Sequence, residues 1–244
     1  MAQIYGVGPV IEALRAGARR IERLVIAEGA GHHRLREILD SARKSGIPVR
    51  REPRAALDRL AGTTSHQGVI AVIGAAGYAD PDDLLSKATD ETVFILLDGV
   101  EDPHNLGAII RTAECAGAAA VIIPERRAAH VTEAVVKASA GATEYMRVAR
   151  VTNLAAFIEA LKKKRFWVVG VEASARTAYT DYDYSGPLAL VFGGEGQGLH
   201  RLVQDKCDVT VSVPMRGHVA SLNVSVTVGI VLFEAINKRR GSKN

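Results

Sequence analysis

"TVFILLDGVEDPHNLGAIIRTAECAGAAAVIIP", residues 92–124, decides the fold. Its opening, TVFILLDGV, is a continuous apolar run, the pattern of a strand covered on both faces. NLGAIIRTAECAG follows as a helix. At helical spacing Leu106, Ile109, Ile110, Ala113 and Gly117 form one apolar stripe, which must face a sheet. AAVIIP is the next strand. Strand, helix, strand in close succession predicts parallel pairing. Pro103 sets up a turn and Asn105 precedes the helix. Arg111 falls off the stripe, near Ala108, Glu114 and Cys115. It is either a solvated arginine paired with a neighbour such as Glu114, or a group facing something else. Ala108, Thr112, Cys115 and Ala118 around it are small, and a face of small residues lets another backbone or subunit approach.

Outward from this segment the alternation continues. Strands are read at MRVARV, FWVVGVE, LALVFG and VTVSVP, and helices at VTEAVVKASAG, NLAAFIEALKKK and a long one from Leu222 to about Lys238. The fold class is therefore α/β, with a mostly parallel sheet and helices on both faces. Ligands in such sheets lie beyond the carboxyl ends of the strands. The loops there are Asp98 to Asn105, Gly193 to Gly198 and Pro214 to Ser221. Before residue 75 lies a smaller α/β unit. Its helices are PVIEALRAG closed by Gly17, HHRLREILDSARKSG ending at Gly46, and PRAALDRLAG. Its strands are IERLVIAEG, IPVRRE and GVIAVIG. The expected domains are residues 1–75, a small acidic linker at 76–90 that enters a short helix, and residues 91–244.

Charge is unevenly shared. Residues 1–75 carry 12 Lys/Arg against 7 Asp/Glu, whereas residues 76–244 carry 19 against 20. A basic first unit suits a polyanion, or it confers only solubility. Cys115 and Cys207 lack C-x-x-C spacing, which argues against a zinc site or disulfide framework and fits a reducing cytosol. The start shows no secretory signal pattern. SLNVSVTVGIVLFEAI is too short for a bilayer, and a buried helix is expected, with a partner subunit covering part of it.

Two further segments carry chemistry. LALVFGGEGQGLHRL runs a strand into Gly193, Gly194, Glu195, Gly196, Gln197 and Gly198, and then a helix. The spacing is neither a dinucleotide fingerprint nor a phosphate loop, and a carboxylate amid glycines would repel phosphate. A tight turn bearing a surface Glu is the plain alternative. In VSVPMRGHVASLNVSVTVGIVLFEA, Ser221 reads as an ordinary N-cap. Asn223 is harder to place, because Asn is a poor helix former in an apolar first turn.

Together the three segments resemble the SpoU-like 2′-O-methyltransferases of the SPOUT class. NLGAIIRTAECAGA is similar to the first family motif, FGGEGQGL to the second, and VPMRGHVASLNVSVTVGIVLFEA to the third. IYGVGPVIEAL and SHQGVIAVI resemble the small substrate-binding domain, which has a ribosomal-protein-like fold. The likeness spans nearly the whole chain and is greatest to bacterial enzymes that methylate a guanosine ribose in 23S ribosomal RNA. It implies a C-terminal domain with a deep trefoil knot, a cytoplasmic homodimer and S-adenosylmethionine bound in the knot, with no metal and no membrane. Gly193, Val213 and Leu222 would contact the cofactor, with Gly194, Val171 and Pro214 close by. Asn105, Arg111, Glu195, Ser221 and Asn223 match the active-site positions. The family proposal makes the motif-one arginine the proton acceptor. An arginine normally stays charged, so Arg111 binding the adjacent phosphate is the other expectation, with Ser221 and Asn223 orienting the ribose or cofactor and Glu195 holding the site together. Transfer RNA and antibiotic-resistance targets use similar C-terminal motifs. A non-catalytic RNA-binding protein is the competing class, but it would need neither the glycine-rich loop nor the Ser221–Asn223 pair.

Overall fold

The computed structural model describes residues 2–16, 21–31, 35–73, 78–196, 198–219 and 221–241. The chain forms two compact units, residues 1–77 and 78–244. The first comprises β1 (Ala2–Tyr5), α1 (Val7–Ala16), β2 (Ile21–Ala27), α2 (Leu35–Lys44), β3 (Val49–Glu52), α3 (Arg54–Ala61) and β4 (Val69–Ile73). The sheet order is β1-β4-β2-β3. β4 is antiparallel to both neighbours, and β2 and β3 are parallel. The strand β1 has no counterpart in the sequence reading. It is a four-residue edge strand whose partner, β4, supplies what its own pattern lacks. The expected closing Gly17, and His32 to Arg34 of the second predicted helix, lie outside the described residues.

Both faces of this small sheet are covered. Leu24, Ile26 and Val69 pack with Val10, Ile11 and Ile38 on one side. Val25, Ile70 and Val72 pack with Leu57 on the other. The turn before β4 is held by polar contacts. His66 is fully buried; its Nε2 lies 2.8 Å from Asp58 Oδ1 and its Nδ1 accepts from the Gly68 amide at 3.0 Å. Nε2 therefore carries the hydrogen. Gln67 Oε1 accepts from the Val7 amide at 2.9 Å and so fixes the start of α1.

The second unit comprises α4 (Pro81–Ser86), β5 (Val93–Asp98), α5 (Pro103–Ala116), β6 (Ala120–Pro124), α6 (Glu133–Ala138), β7 (Val148–Val151), α7 (Leu154–Lys163), β8 (Trp167–Val171), β9 (Thr177–Ala178), β10 (Leu188–Gly193), α8 (Arg201–Gln204), β11 (Val209–Ser212) and α9 (Val224–Gly241). The sheet order is β7-β6-β5-β10-β8-β11-β9, and its ladders run parallel. Alternate residues of β5 explain the unbroken apolar run. Val93, Ile95 and Leu97 meet Leu106, Ile109 and Ile110 of α5 and Val228 and Leu232 of α9. Phe94 and Leu96 meet Phe157, Ile158 and Leu161 of α7.

The stretch read as a linker does more than tether. Asp80 caps α4 by accepting from the Asp82 amide at 2.9 Å, and Leu84 and Leu85 are buried in the second unit's own core. The helix α9 is covered on one side within the chain. Val224, Val228, Val231, Leu232 and Ala235 are buried, but Val226 and Phe233 are 48% and 44% exposed, so within one chain only one side is covered. Near its end Arg239 is buried. It donates to the carbonyls of Tyr184 (2.7 Å), Asp90 (3.0 Å) and Gly186, tying the helix to the loops before β10 and β5. No helix among the described residues is long and apolar enough to cross a membrane.

Candidate active site

The polar cluster lies where the carboxyl ends of β5 and β10 meet the start of α9. β5 and β10 are adjacent, with Asp98 in register with Gly193. The chain turns at Gly99, and Asp102 then caps α5 by accepting from the amides of His104 (3.1 Å) and Asn105 (3.3 Å). Pro103 occupies the first helical position, where its missing N–H costs nothing. This corrects the expected helix start. Asn105 does not precede α5; it sits in the first turn and is buried. The helix ends at Ala116 with Gly117 at φ 79°, so Ala118 lies past the helix and is buried, rather than lining its outer face.

Asn105 joins the other two motifs. Its Nδ2 donates to Glu195 Oε1 from the glycine-rich loop. Its Oδ1 accepts from Asn223 Nδ2 at 3.0 Å. Asn223 in turn caps α9, its Oδ1 accepting from the Ser225 amide at 2.8 Å and from Ser225 Oγ at 2.6 Å. The cap expected at Ser221 is therefore supplied by Asn223, which removes the oddity of an Asn in that turn. Ser221 and Arg111 are exposed and outside this network, and the Arg111 side chain makes no hydrogen bond or ion pair among the described residues. Arg111 lies about 9 Å farther along α5 and about 120° around it from Asn105. Within one chain the two do not share a face.

Glycine is required in the second loop by the loop's own packing. A Cβ on Gly193 would lie 2.1 Å from the carbonyl carbon of Gly198, and one on Gly194 would lie 2.1 Å from the Gly99 oxygen. The Gly194 amide donates to the Asp98 carbonyl at 2.7 Å. Glu172, just past β8, accepts from the Leu199 amide at 3.1 Å and holds the far end. Val171 and Val213 are half-buried against the core, whereas Pro214 and Leu222 are exposed. Val171, Gly193 and Val213 end or follow three neighbouring strands, β8, β10 and β11.

A cavity of about 460 Å³ opens on one side of Glu195. Asp98, Gly99, Glu101, Asp102, Arg127, Gly194 and His200 also line it. The expected ligand loops 98–105 and 193–198 form most of this wall, and of the individually expected site residues Gly194 and Glu195 reach it. The sequence reading gave no role to Asp98, Arg127, Glu172 or His200. Asp98 had a signal, because it is the one charged residue in an apolar strand and stands at its carboxyl end. No cluster of metal-ligating side chains exists among the described residues. Cys207 is no nucleophile: burial pushes its thiol up to about 12, and its Sγ donates to the Val203 carbonyl at 3.4 Å.

A parallel sheet covered on both faces, with one polar network at its carboxyl edge, defines an α/β ligand-binding class. The chain belongs to the SpoU rRNA methylase family, whose model matches residues 92–233. Residues 3–79 match the domain described as RNA 2′-O ribose methyltransferase substrate binding. A Bacillus subtilis protein named as a TrmH family tRNA/rRNA methyltransferase is 44% identical over 239 residues, covering 97% of this chain and 95% of the relative. Among solved structures, the Streptomyces viridochromogenes SpoU methyltransferase AviRb in complex with AdoMet is 25% identical with a TM-score of 0.76, covering 98% of this chain and 90% of that one. An AdoMet-bound rRNA methyltransferase from Sinorhizobium meliloti is 26% identical with a TM-score of 0.78, covering 96% and 86%.

Proposed function

We propose that the protein transfers a methyl group from S-adenosylmethionine to a ribose 2′-hydroxyl of RNA, with a guanosine of 23S ribosomal RNA as the target. The observation that carries this reading is the hydrogen-bonded chain Glu195–Asn105–Asn223. It joins the three motif loops at one point of the sheet's carboxyl edge. A pure RNA-binding module would need no such junction. Family membership and the AdoMet-bound neighbours support the cofactor, and the substrate-binding match over the basic first unit supports RNA. The 23S target rests on resemblance; relatives named for both tRNA and rRNA keep transfer RNA as the second reading.

The residues present suit the cofactor. Val171 and Val213 offer apolar walls beside the glycine-rich loop, and the expected contacts Gly193, Gly194, Pro214 and Leu222 offer mainly backbone groups. When bound, S-adenosylmethionine supplies a sulfonium methyl already activated for transfer, so no metal is required. The protein's own task is to orient the hydroxyl and help it lose its proton. Glu195, fixed by Asn105, holds the loop in place, and Asn223 anchors the third motif to it. Ser221, exposed two residues before Asn223, is the group proposed to orient the ribose or the cofactor. Arg111, a permanent cation, binds the phosphate beside the target.

A homodimer formed over α5 and α9 belongs to the same reading. The exposed Val226 and Phe233 of α9 and the exposed Cys115 of α5 support it. The knot around the second and third motifs, which the resemblance implies, belongs to the same reading. A reducing cytosol is the proposed compartment. The deciding experiment incubates the protein with labelled S-adenosylmethionine and total RNA from cells lacking it, then maps the label by nuclease digestion and mass spectrometry. Label on a 2′-oxygen of 23S RNA is expected; absence of transfer together with absence of cofactor binding by calorimetry would sink the enzyme reading.

A further inference from the structure

We propose that Glu172 is a positioning residue for the cofactor, its carboxylate clamping the closing end of the glycine-rich loop to the end of β8. This role rests on the S-adenosylmethionine reading above and deepens it. Val171, Gly193 and Val213, three of the expected cofactor contacts, end or follow β8, β10 and β11, and β8 lies between the other two. Glu172 comes directly after Val171. Its amide donates to the Val211 carbonyl of β11 at 2.9 Å, two residues before Val213. Its Oε2 accepts at 3.1 Å from the amide of Leu199, where the loop that starts at Gly193 closes. One residue thus joins all three strand ends, with its backbone toward β11 and its carboxylate toward the loop after β10.

The fit at this point is close. Gly198 has φ 65°, and a Cβ there would lie 2.6 Å from Glu172 Oε2 and 3.0 Å from Oε1. A Cβ on Gly193 would lie 2.1 Å from the Gly198 carbonyl carbon and 2.5 Å from the Leu199 nitrogen. The Gly198–Leu199 peptide therefore packs against Gly193 and against the Glu172 carboxylate at once. The next amide, that of His200, is held from β5 instead. Asp98 accepts from it at 2.7 Å, and His200 Nδ1 lies 3.0 Å from the same carboxylate. Asp98 and the Asn105–Glu195 pair thus fix the loop from the side of β5 and α5. Among the described residues, its one hydrogen bond toward β8 is the one from Leu199 to Glu172.

A carboxylate accepts from an amide more strongly than a neutral oxygen does. A loop held in place before the cofactor arrives loses little further freedom when it binds. Losing the clamp should therefore weaken cofactor binding. The transfer step should change little, because Asn105, Glu195 and Asn223 hold one another without Glu172.

The test uses the full chain, with calorimetry for S-adenosylmethionine and labelled methyl transfer to total RNA from cells lacking the protein. Glu172→Ala should raise the cofactor Kd by about tenfold or more. It should raise the cofactor KM in step and leave kcat at saturating cofactor within about threefold of wild type. Glu172→Gln, which keeps an oxygen for the Leu199 amide, should restore much of the affinity. In the cofactor-free protein, hydrogen exchange at the Leu199 amide should speed up in the alanine variant and stay slow in the glutamine variant. Gly198→Ala reaches the same contact from the other partner, since its Cβ displaces the carboxylate. It should cost affinity in the wild-type background and clearly less in the Glu172→Ala background. Unchanged cofactor affinity in Glu172→Ala overturns the proposal. So does a loss of kcat as large as the loss of affinity, or no rescue by glutamine, either of which marks Glu172 as a general support of the fold. If wild type itself binds no S-adenosylmethionine, the cofactor reading fails and this role with it, and the wild-type titration tells the two failures apart.

Discussion

Asn223 does two jobs with one amide, and the two can be separated. Its oxygen caps α9 through the Ser225 amide, and its nitrogen donates to Asn105, which holds Glu195. Asn223→Asp keeps an acceptor at the helix start, where negative charge is favoured, but places a second acceptor against Asn105 Oδ1. We expect its melting temperature to stay close to wild type while methyl transfer falls steeply. Asn223→Ala loses the cap as well, at a cost of about 1 kcal/mol, and should melt earlier. Full activity in the aspartate variant would show that the link to Asn105 is dispensable. The sequence carried half of this. Asn223 stood out as a residue out of place in a helical turn, but the cap was assigned to Ser221 because Ser is an ordinary cap and precedes the apolar run. Only the fold brings Asn105, 118 residues earlier, within 3.0 Å. Arg111 was placed correctly off the stripe by helical spacing alone, because one helix is a local object. What that face meets is a long-range matter that periodicity does not encode.

At the scale of elements, continuous apolar runs predicted β5 and β10 well, since a strand covered on both faces has no polar alternation to confuse it. The strands β1 and β9 escaped. They are four and two residues long and gain their shape from a partner already in place. The glycine-rich loop was read as a backbone free to approach a ligand. The structure gives a stricter reason at two positions, where the loop packs backbone to backbone. Gly194→Ala would set a Cβ 2.1 Å from the Gly99 oxygen and 2.8 Å from its carbonyl carbon, neither of which is a yielding side chain. The turn after β5 and the loop after β10 must then part, carrying Glu195 and the Asp98–His200 pair with them. Gly196→Ala meets nothing within 4 Å and suffers only its φ of 78°, a strain of about 1–2 kcal/mol. Calorimetry with S-adenosylmethionine should therefore find affinity lost in the first variant and largely kept in the second. The reverse order would mean that the loop's conformation at Gly196, not its packing at Gly194, sets the pocket.

At the scale of the whole molecule, charge is unevenly shared between the two units. The first unit carries 12 Lys/Arg against 7 Asp/Glu within residues 1–75, and the rest of the chain is close to neutral. Among the described residues, both cores of the second unit, one around Ile95, Ile110 and Leu232 and the other around Leu96, Ile158 and Leu161, are built from residues after 77. Removing residues 1–77 should thus leave a folded protein that binds S-adenosylmethionine with unchanged affinity. It should bind RNA more weakly, and the dependence of that binding on salt should flatten, because each phosphate neutralised by a lysine or arginine adds to the slope. Titrating labelled ribosomal RNA with the full and shortened chains across a salt series measures both quantities. Equal affinities and equal slopes would place RNA recognition on the second unit, where Arg111, Arg126 and Arg127 are exposed. The basic first unit would then confer solubility alone.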